Sequence, residues 1–97
     1  MRMIDVQMVW DAADIVSKQP RGARSRTAEK HGVSRATITE AVKRVEAAFN
    51  VRLFAKARSD KEEPLTAPGR AFVDHGKTFL ESFQLLRKLV QDAQNLD

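Results

Sequence analysis

Side chains able to serve as nucleophile, acid/base pair or metal ligand are few in this 97-residue chain. There is no cysteine, and His31 and His75 stand far apart with no second histidine at metal spacing. His75 neighbours Asp74 and Lys77 only. Glu62 and Glu63 lie side by side in a charged, turn-prone run, which makes a loop tip and not a paired acid/base site. Ser25, Ser34 and Thr66 each stand where a helix begins, so capping accounts for their hydroxyls. These residues point to no enzyme, no metal and no cofactor. What the middle of the chain does concentrate is cations. Ten Lys/Arg lie between Arg21 and Arg58 against Glu29, Glu40 and Glu46, a surplus of seven, while residues 1–20 and 59–97 carry −1 and −2 of the +4 total. A positive surplus confined to one stretch is the electrostatic footprint of a polyanion partner, bound by replacing its counterions. The bland alternative is a solvated basic face.

The elements that must position these cations centre on Arg24 to Phe54. Gly32 supplies a turn residue tolerant of positive φ, and Ser34 a helix N-cap. Behind it, Ile38, Ala41, Val42, Val45 and Phe49 recur at three- and four-residue spacing and form one apolar stripe. The opposite face carries Arg35, Thr37, Thr39, Glu40, Lys43 and Arg44. A short helix from Ser25 to His31 precedes the turn. It is poor in apolar residues, and its burial rests on Ala23, Thr27 and Ala28, with His31 at its end in a helix-terminal or packing role. Its N-terminal amides and Ser25 could hold a phosphate. A helix, a glycine turn and a capped helix with a basic outer face make the pattern of a helix-turn-helix.

The remainder reads as support. A first helix over Asp5–Lys18, capped by Asp5, presents Val6, Val9, Ala12, Ala13 and Val16 on one face. Trp10 within that pattern reads as a core or dimer contact before a base-stacking one. Pro20 and Gly22 end the helix. Beyond Asn50, a left-handed cap for the third helix, Val51–Lys56 alternates as a strand does. After the charged segment 58–64, Leu65-Thr66 returns as a second short strand, so the pair forms a wing. Thr66 then caps a last helix from Ala67 to about Gln94, roughly 40 Å long at 1.5 Å per residue. Phe72, Gly76, Phe79, Phe83, Leu86, Val90 and Ala93 step along it in an unbroken heptad seam, widened by Leu80, Leu85, Leu89 and Leu96. So small a chain cannot cover so apolar a helix alone, and the seam predicts pairing with a second copy. A larger domain packed on it is the alternative.

With these elements placed, nearly the whole chain, about residues 5–95, resembles the N-terminal DNA-binding domain of LysR-type transcriptional regulators. The resemblance is carried by Ala28-Glu29, Val33-Ser34, Val51-Arg52-Leu53-Phe54, and Leu65-Thr66 with Gly69. These stand where the family has its Ala-Ala-Glu helix, its Val-Ser turn, its first wing strand and its Leu-Thr-x-x-Gly lead into the linker helix. The related molybdate-responsive regulators share the module. The resemblance implies major-groove reading by the start of the third helix, minor-groove or backbone contact by the wing, and an antiparallel dimer through the long helix. It places Ser34, Arg35, Ala36, Thr37 and Thr39 in groove-facing positions and Lys43 and Arg44 where the family is often basic. There are departures. Arg35-Ala36 replaces the usual Gln-Pro, and an arginine there can take guanine O6 and N7 together. Glu40 occupies an often basic place, where it accepts from cytosine, repels phosphate or pairs with Arg44 at i+4. Arg24 and His31 replace apolar residues that pack the second helix. The wing loop is longer than the family's and acidic, which shifts backbone contact to Lys56 and Arg58. The family's inducer-binding domain does not follow within these residues, so the chain is a stand-alone regulator or a cut-out domain.

The sequence thus predicts a mainly α winged helix-turn-helix over residues 1–67, with a three-helix core and a two-stranded wing, and a dimerisation helix over 68–97. The function it predicts is sequence-specific binding of double-stranded DNA by a homodimer that regulates transcription. Arg24, Ser25, Arg26, Lys43, Arg44, Arg52, Lys56 and Arg58 would supply phosphate contacts, and Arg35, Thr37 and Thr39 base readout, with Ser34, Ala36 and Glu40 on the same face. Phe72, Gly76, Phe79, Leu80, Phe83, Leu86 and Val90 would form the dimer interface. An architectural or plasmid/phage accessory DNA-binder, a partition, transfer or recombination factor, shares every one of these features. No small-molecule ligand is implied. No apolar run reaches the roughly 20 residues of a membrane span, and Asp5 interrupts any signal-peptide core, so a cytoplasmic, nucleoid-associated setting is expected.

Overall fold

Four amphipathic segments become four helices: α1 (Met3–Lys18), α2 (Ala23–His31), α3 (Arg35–Phe49) and α4 (Ala67–Gln94). The computed structural model describes residues 1–56 and 64–96. α1 starts earlier than its sequence suggests, because Asp5 is not the cap. It sits one turn in, where its Oδ2 accepts the Arg2 N–H at 2.9 Å. The α1 face of Val6, Val9, Ala12, Ala13 and Val16 is buried throughout, joined by Met8.

α2 also starts early, at Ala23, after Gly22 at φ 71°, so Ser25 lies inside the first turn and does not cap it. Ala23, Thr27 and Ala28 are its buried residues. Thr27 enters the core because its hydroxyl donates to the Ala23 carbonyl at 2.7 Å, which leaves no unsatisfied polar atom. Gly32, at φ 66°, closes the helix, and the Val33 N–H reaches the Ala28 carbonyl at 2.9 Å.

α3 begins as its sequence requires, with Ser34 Oγ accepting the Thr37 N–H at 3.1 Å. Ile38, Ala41, Val42 and Val45 are buried against α1 and α2, and Asn50 closes the helix in the left-handed conformation at φ 55°. Phe49 departs from the stripe and is 51% exposed. Its ring instead meets Phe72 of α4 edge-on, with centroids 6.2 Å apart.

The two-stranded wing is not formed as strands among the described residues. In its place stands a single antiparallel bridge, Phe54 to Leu65, with the Ala55 N–H on the Pro64 carbonyl at 2.7 Å and the Thr66 N–H on the Leu53 carbonyl at 3.0 Å. The physical reason is Glu46. Its Oε2 takes the Leu53 N–H at 2.7 Å and lies 3.5 Å from that of Phe54, so these amides are held by a side chain of α3 and not by a strand partner. Leu53 and Phe54 are both buried, so the segment is covered on two sides and is not a one-faced strand. Arg58, Glu62 and Glu63, the expected wing tip, lie outside the described residues.

Thr66 caps α4 as expected, accepting the Gly69 N–H at 3.0 Å. Gly69 is obligatory here, because a β-carbon would fall 2.1 Å from the Leu53 carbonyl oxygen. The first half of α4 lies along α1. Trp10 Nε1 donates to the Val73 carbonyl at 3.1 Å, and the ring edge sits where a Gly76 β-carbon would come within 2.7 Å. Trp10 is thus half-buried and joins α1 to α4 within the chain. Past this crossing α4 continues beside the start of α1, where Leu80, Phe83 and Arg87 share a groove with Met3, Ile4 and Gln7, and the molecule has a long axis of 56 Å against 26 and 23 Å. No helix among the described residues is long and apolar enough to cross a membrane.

Candidate nucleic-acid interface

The start of α3 stands open. Ser34, Arg35 and Ala36 are exposed, Thr37 and Thr39 are half-buried, and Glu40, Lys43 and Arg44 follow on the outer surface. The cap that starts the helix also fixes its first turn, because Ser34 Oγ lies 3.0 Å from Thr37 Oγ1 as well as accepting the Thr37 amide. The first amides of α3 are thus directed outward beside Arg35, an arrangement suited to an anion or an acceptor-rich edge.

The basic residues divide into two sets. Among the described residues, Arg35 and Lys56 form no ion pair or side-chain hydrogen bond, and Lys43 is paired only with exposed Glu40 at 3.4 Å. Four others are held within the chain. Arg26 donates to the Gln19 side chain at 3.0 Å and to the carbonyls of Gln19 and Arg21, which ties it to the α1–α2 turn. Arg52 lies 3.5 Å from Glu46. Arg24 donates from Nη1 to Thr39 Oγ1 at 2.8 Å, and its guanidinium carbon lies 5.5 Å from the Phe54 ring centre.

Arg44 is the most tightly held. Its Nε and Nη2 grip the two oxygens of Asp5 at 3.1 and 3.0 Å in a forked pair. The i+4 pairing of Glu40 with Arg44 does not occur, because Asp5 has taken the guanidinium and Glu40 turns to Lys43. The Arg44 hydrogen bond, aided by the Arg2 amide, holds the Asp5 carboxyl below its ordinary value although burial pushes the other way. The same bond raises Arg44.

Three carboxylates organise this surface in roles that the sequence did not assign to them. Asp5 anchors α3 to the N-terminus of α1. Asp11 binds His31 Nε2 at 2.7 Å and Lys30 at 3.3 Å, and so joins α1 to the end of α2. Glu46 holds the segment that leads to the loop. The one signal was an acid within an apolar helical face, as with Asp11 between Trp10 and Ala12; nothing local pointed to the partners.

The expected dimer seam also divides. Phe72 and Gly76 are drawn into contact with Phe49 and Trp10 of the same chain. Leu80 and Phe83 are half-buried, while Phe79, Leu86 and Val90 remain exposed together with Leu85 and Leu89.

A helix-turn-helix whose third helix opens outward and whose long trailing helix carries an uncovered apolar face defines the class. The particular architecture is that of an N-terminal LysR-type DNA-binding domain. The chain is similar to the CbnR DNA-binding domain in a complex with DNA, at 24% identity over 97% of this chain and 99% of that one, with a TM-score of 0.74. It is similar to a full-length OxyR variant from Pseudomonas aeruginosa at 27% identity over 95% of this chain, with a TM-score of 0.73. Full-length CbnR, a LysR family transcriptional regulator, matches at 23% identity over 94% of this chain, with a TM-score of 0.71. The chain spans 28% of that OxyR and 29% of that CbnR, under a third of each. No protein-family model matches the chain, and no curated protein does.

Proposed function

We propose that this chain is a DNA-binding transcriptional regulator that reads a specific double-stranded sequence as a homodimer. The observation that carries the reading is the open first turn of α3, with Ser34, Arg35, Ala36 and Thr37 presented together and Arg35 in no ion pair among the described residues. Its likeness to a domain crystallised with DNA supports the same assignment.

In this reading α3 enters the major groove. Arg35, Thr37 and Thr39 meet base edges, where each good contact is worth about 1–3 kcal/mol. Lys43 and Lys56 meet phosphates. Glu40 stands beside them as a cytosine acceptor or a barrier to phosphate. Arg26, Arg44 and Arg52, with their intramolecular partners, contribute charge from fixed positions and leave phosphate contact mainly to the unpaired cations. Residues 1–67 form the reading unit. In the α4 segment, the exposed Phe79, Leu86 and Val90, flanked by Leu80 and Phe83, pack on a second copy and set two reading heads about one helical turn or a multiple apart. Selection from a randomised duplex pool, followed by titration across salt, tests the reading. A half-site enriched in two copies at fixed spacing, with affinity falling steeply as salt rises, is expected. Failure to enrich any duplex, or salt-independent binding, would remove it.

A further inference from the structure

Arg24 stands where the family's pattern has an apolar packing residue, and the structure shows what an arginine does there. Its stem leaves α2 and its guanidinium lies 5.5 Å from the centre of the Phe54 ring, which is itself buried. From that shelf Nη1 reaches Thr39 Oγ1 at 2.8 Å. One side chain therefore joins α2, the reading face of α3 and the segment that carries Phe54. Stacking on an aromatic face restricts a guanidinium that would otherwise sample many rotamers, so the donor aimed at Thr39 is held in place.

The consequence falls on Thr39. A hydroxyl is donor and acceptor at once, and which it offers depends on its neighbours. Here Oγ1 already accepts a charge-assisted bond, so its own hydrogen is turned away from Arg24. Among the described residues that hydrogen meets no other acceptor. A group with a partial positive charge approaching Thr39 would also approach a fixed cation. We propose that Arg24 is a positioning residue that makes Thr39 a hydrogen-bond donor, so that Thr39 selects a base edge offering an acceptor, guanine O6 or N7, adenine N7 or thymine O4, and disfavours the amino edge of cytosine. This rests on the reading above, in which α3 lies in the major groove. It assigns Arg24 a role distinct from a phosphate contact.

The test begins with the full chain and a randomised duplex pool, which yields the preferred half-site. Thr39→Val keeps the shape and removes the hydroxyl; Arg24→Met keeps the stem and removes the donor. Each is expected to relax preference at the same base pair, with about a tenfold loss on the selected duplex. The double variant should lose no more than either single one. Binding to scrambled duplex and the dependence of affinity on salt should stay as in the unaltered chain. Circular dichroism reports whether each variant is folded. Should Arg24→Met not fold, base analogues decide the matter without touching Arg24. Replacing the selected acceptor, for instance guanine N7 by its deaza analogue, should weaken the unaltered chain and leave Thr39→Val indifferent. Equal losses on all duplexes with a shallower salt slope for Arg24→Met would show a phosphate contact and overturn the proposal. So would a Thr39-dependent preference for cytosine, or a preference that Arg24→Met leaves intact. An unaltered chain that enriches no duplex overturns the underlying reading, and this proposal with it, before any variant is made.

Discussion

Arg44 reaches back from the outer surface of α3 to close on both oxygens of Asp5, at 3.0 and 3.1 Å, in the first turn of α1. The pair is 39 residues apart in sequence and fixes the rotation of α3 about its axis relative to the helix beneath it. The carboxyl of Asp5 is fully buried while the guanidinium stays partly in water. A charge held in this way is sensitive to loss of its partner.

The pH dependence of stability should carry the mark of Asp5. Its folded carboxyl titrates below the ordinary value of 3.8, so its contribution is fully present above that value and is lost as pH falls through the lowered one. Asp5→Asn should lower the melting temperature at pH 7, and the deficit should shrink as both proteins are taken below pH 4, the region of the ordinary value. Thermal melts across pH 2–7, about the range in which carboxyls titrate, provide the comparison. A constant deficit over that range would show that Asp5 acts through shape alone.

Arg35 should separate specific from general affinity. Arg35→Ala is expected to lower binding to the selected duplex by more than about tenfold and to leave scrambled duplex nearly unaffected. Equal losses on both would reassign Arg35 to the backbone.

The exposed part of α4 should govern assembly. Replacing Phe79 and Phe83 together with glutamate should give a folded monomer in sedimentation, because Phe79 is exposed and Phe83 half-buried beside it on the proposed pairing face. An unchanged mass would place the dimer contact elsewhere.

Gly69 should not tolerate alanine. Its β-carbon would meet the Leu53 carbonyl at 2.1 Å, and that carbonyl is fixed by the Thr66 amide and hydroxyl. A cost of about 3 kcal/mol, at the high end for overpacking, should outweigh the roughly 1 kcal/mol that alanine adds to a helix. Gly76→Ala should cost less, because the atom in its way belongs to a side chain that can tilt. Denaturant melts of the two variants give the ranking.

The parts of this molecule that were legible in its sequence are those decided within one turn. Ser34, Asn50 and Thr66 act on amides or carbonyls next to them, and Ile38, Ala41, Val42 and Val45 share a face whatever lies opposite. The parts that were not legible depend on distant partners. Nothing near Asp5 names Arg44, and nothing near Arg24 names Thr39 or Phe54. The segment from Val51 was read as a strand because its residue types suit one, yet strand formation also needs free amides, and Glu46 occupies them. Phe49 kept the spacing of the core stripe but lies past its last buried turn, where α4 offers a ring to meet it.

The crossing of Trp10 over Gly76 has one further use. The chain contains one tryptophan and no tyrosine, so its near-ultraviolet emission comes almost wholly from that single indole. The ring touches α4 within its contact with α1, with its N–H on the Val73 carbonyl. Its emission wavelength is therefore a built-in optical gauge of whether the long helix is docked on α1, available without any label and readable in any titration.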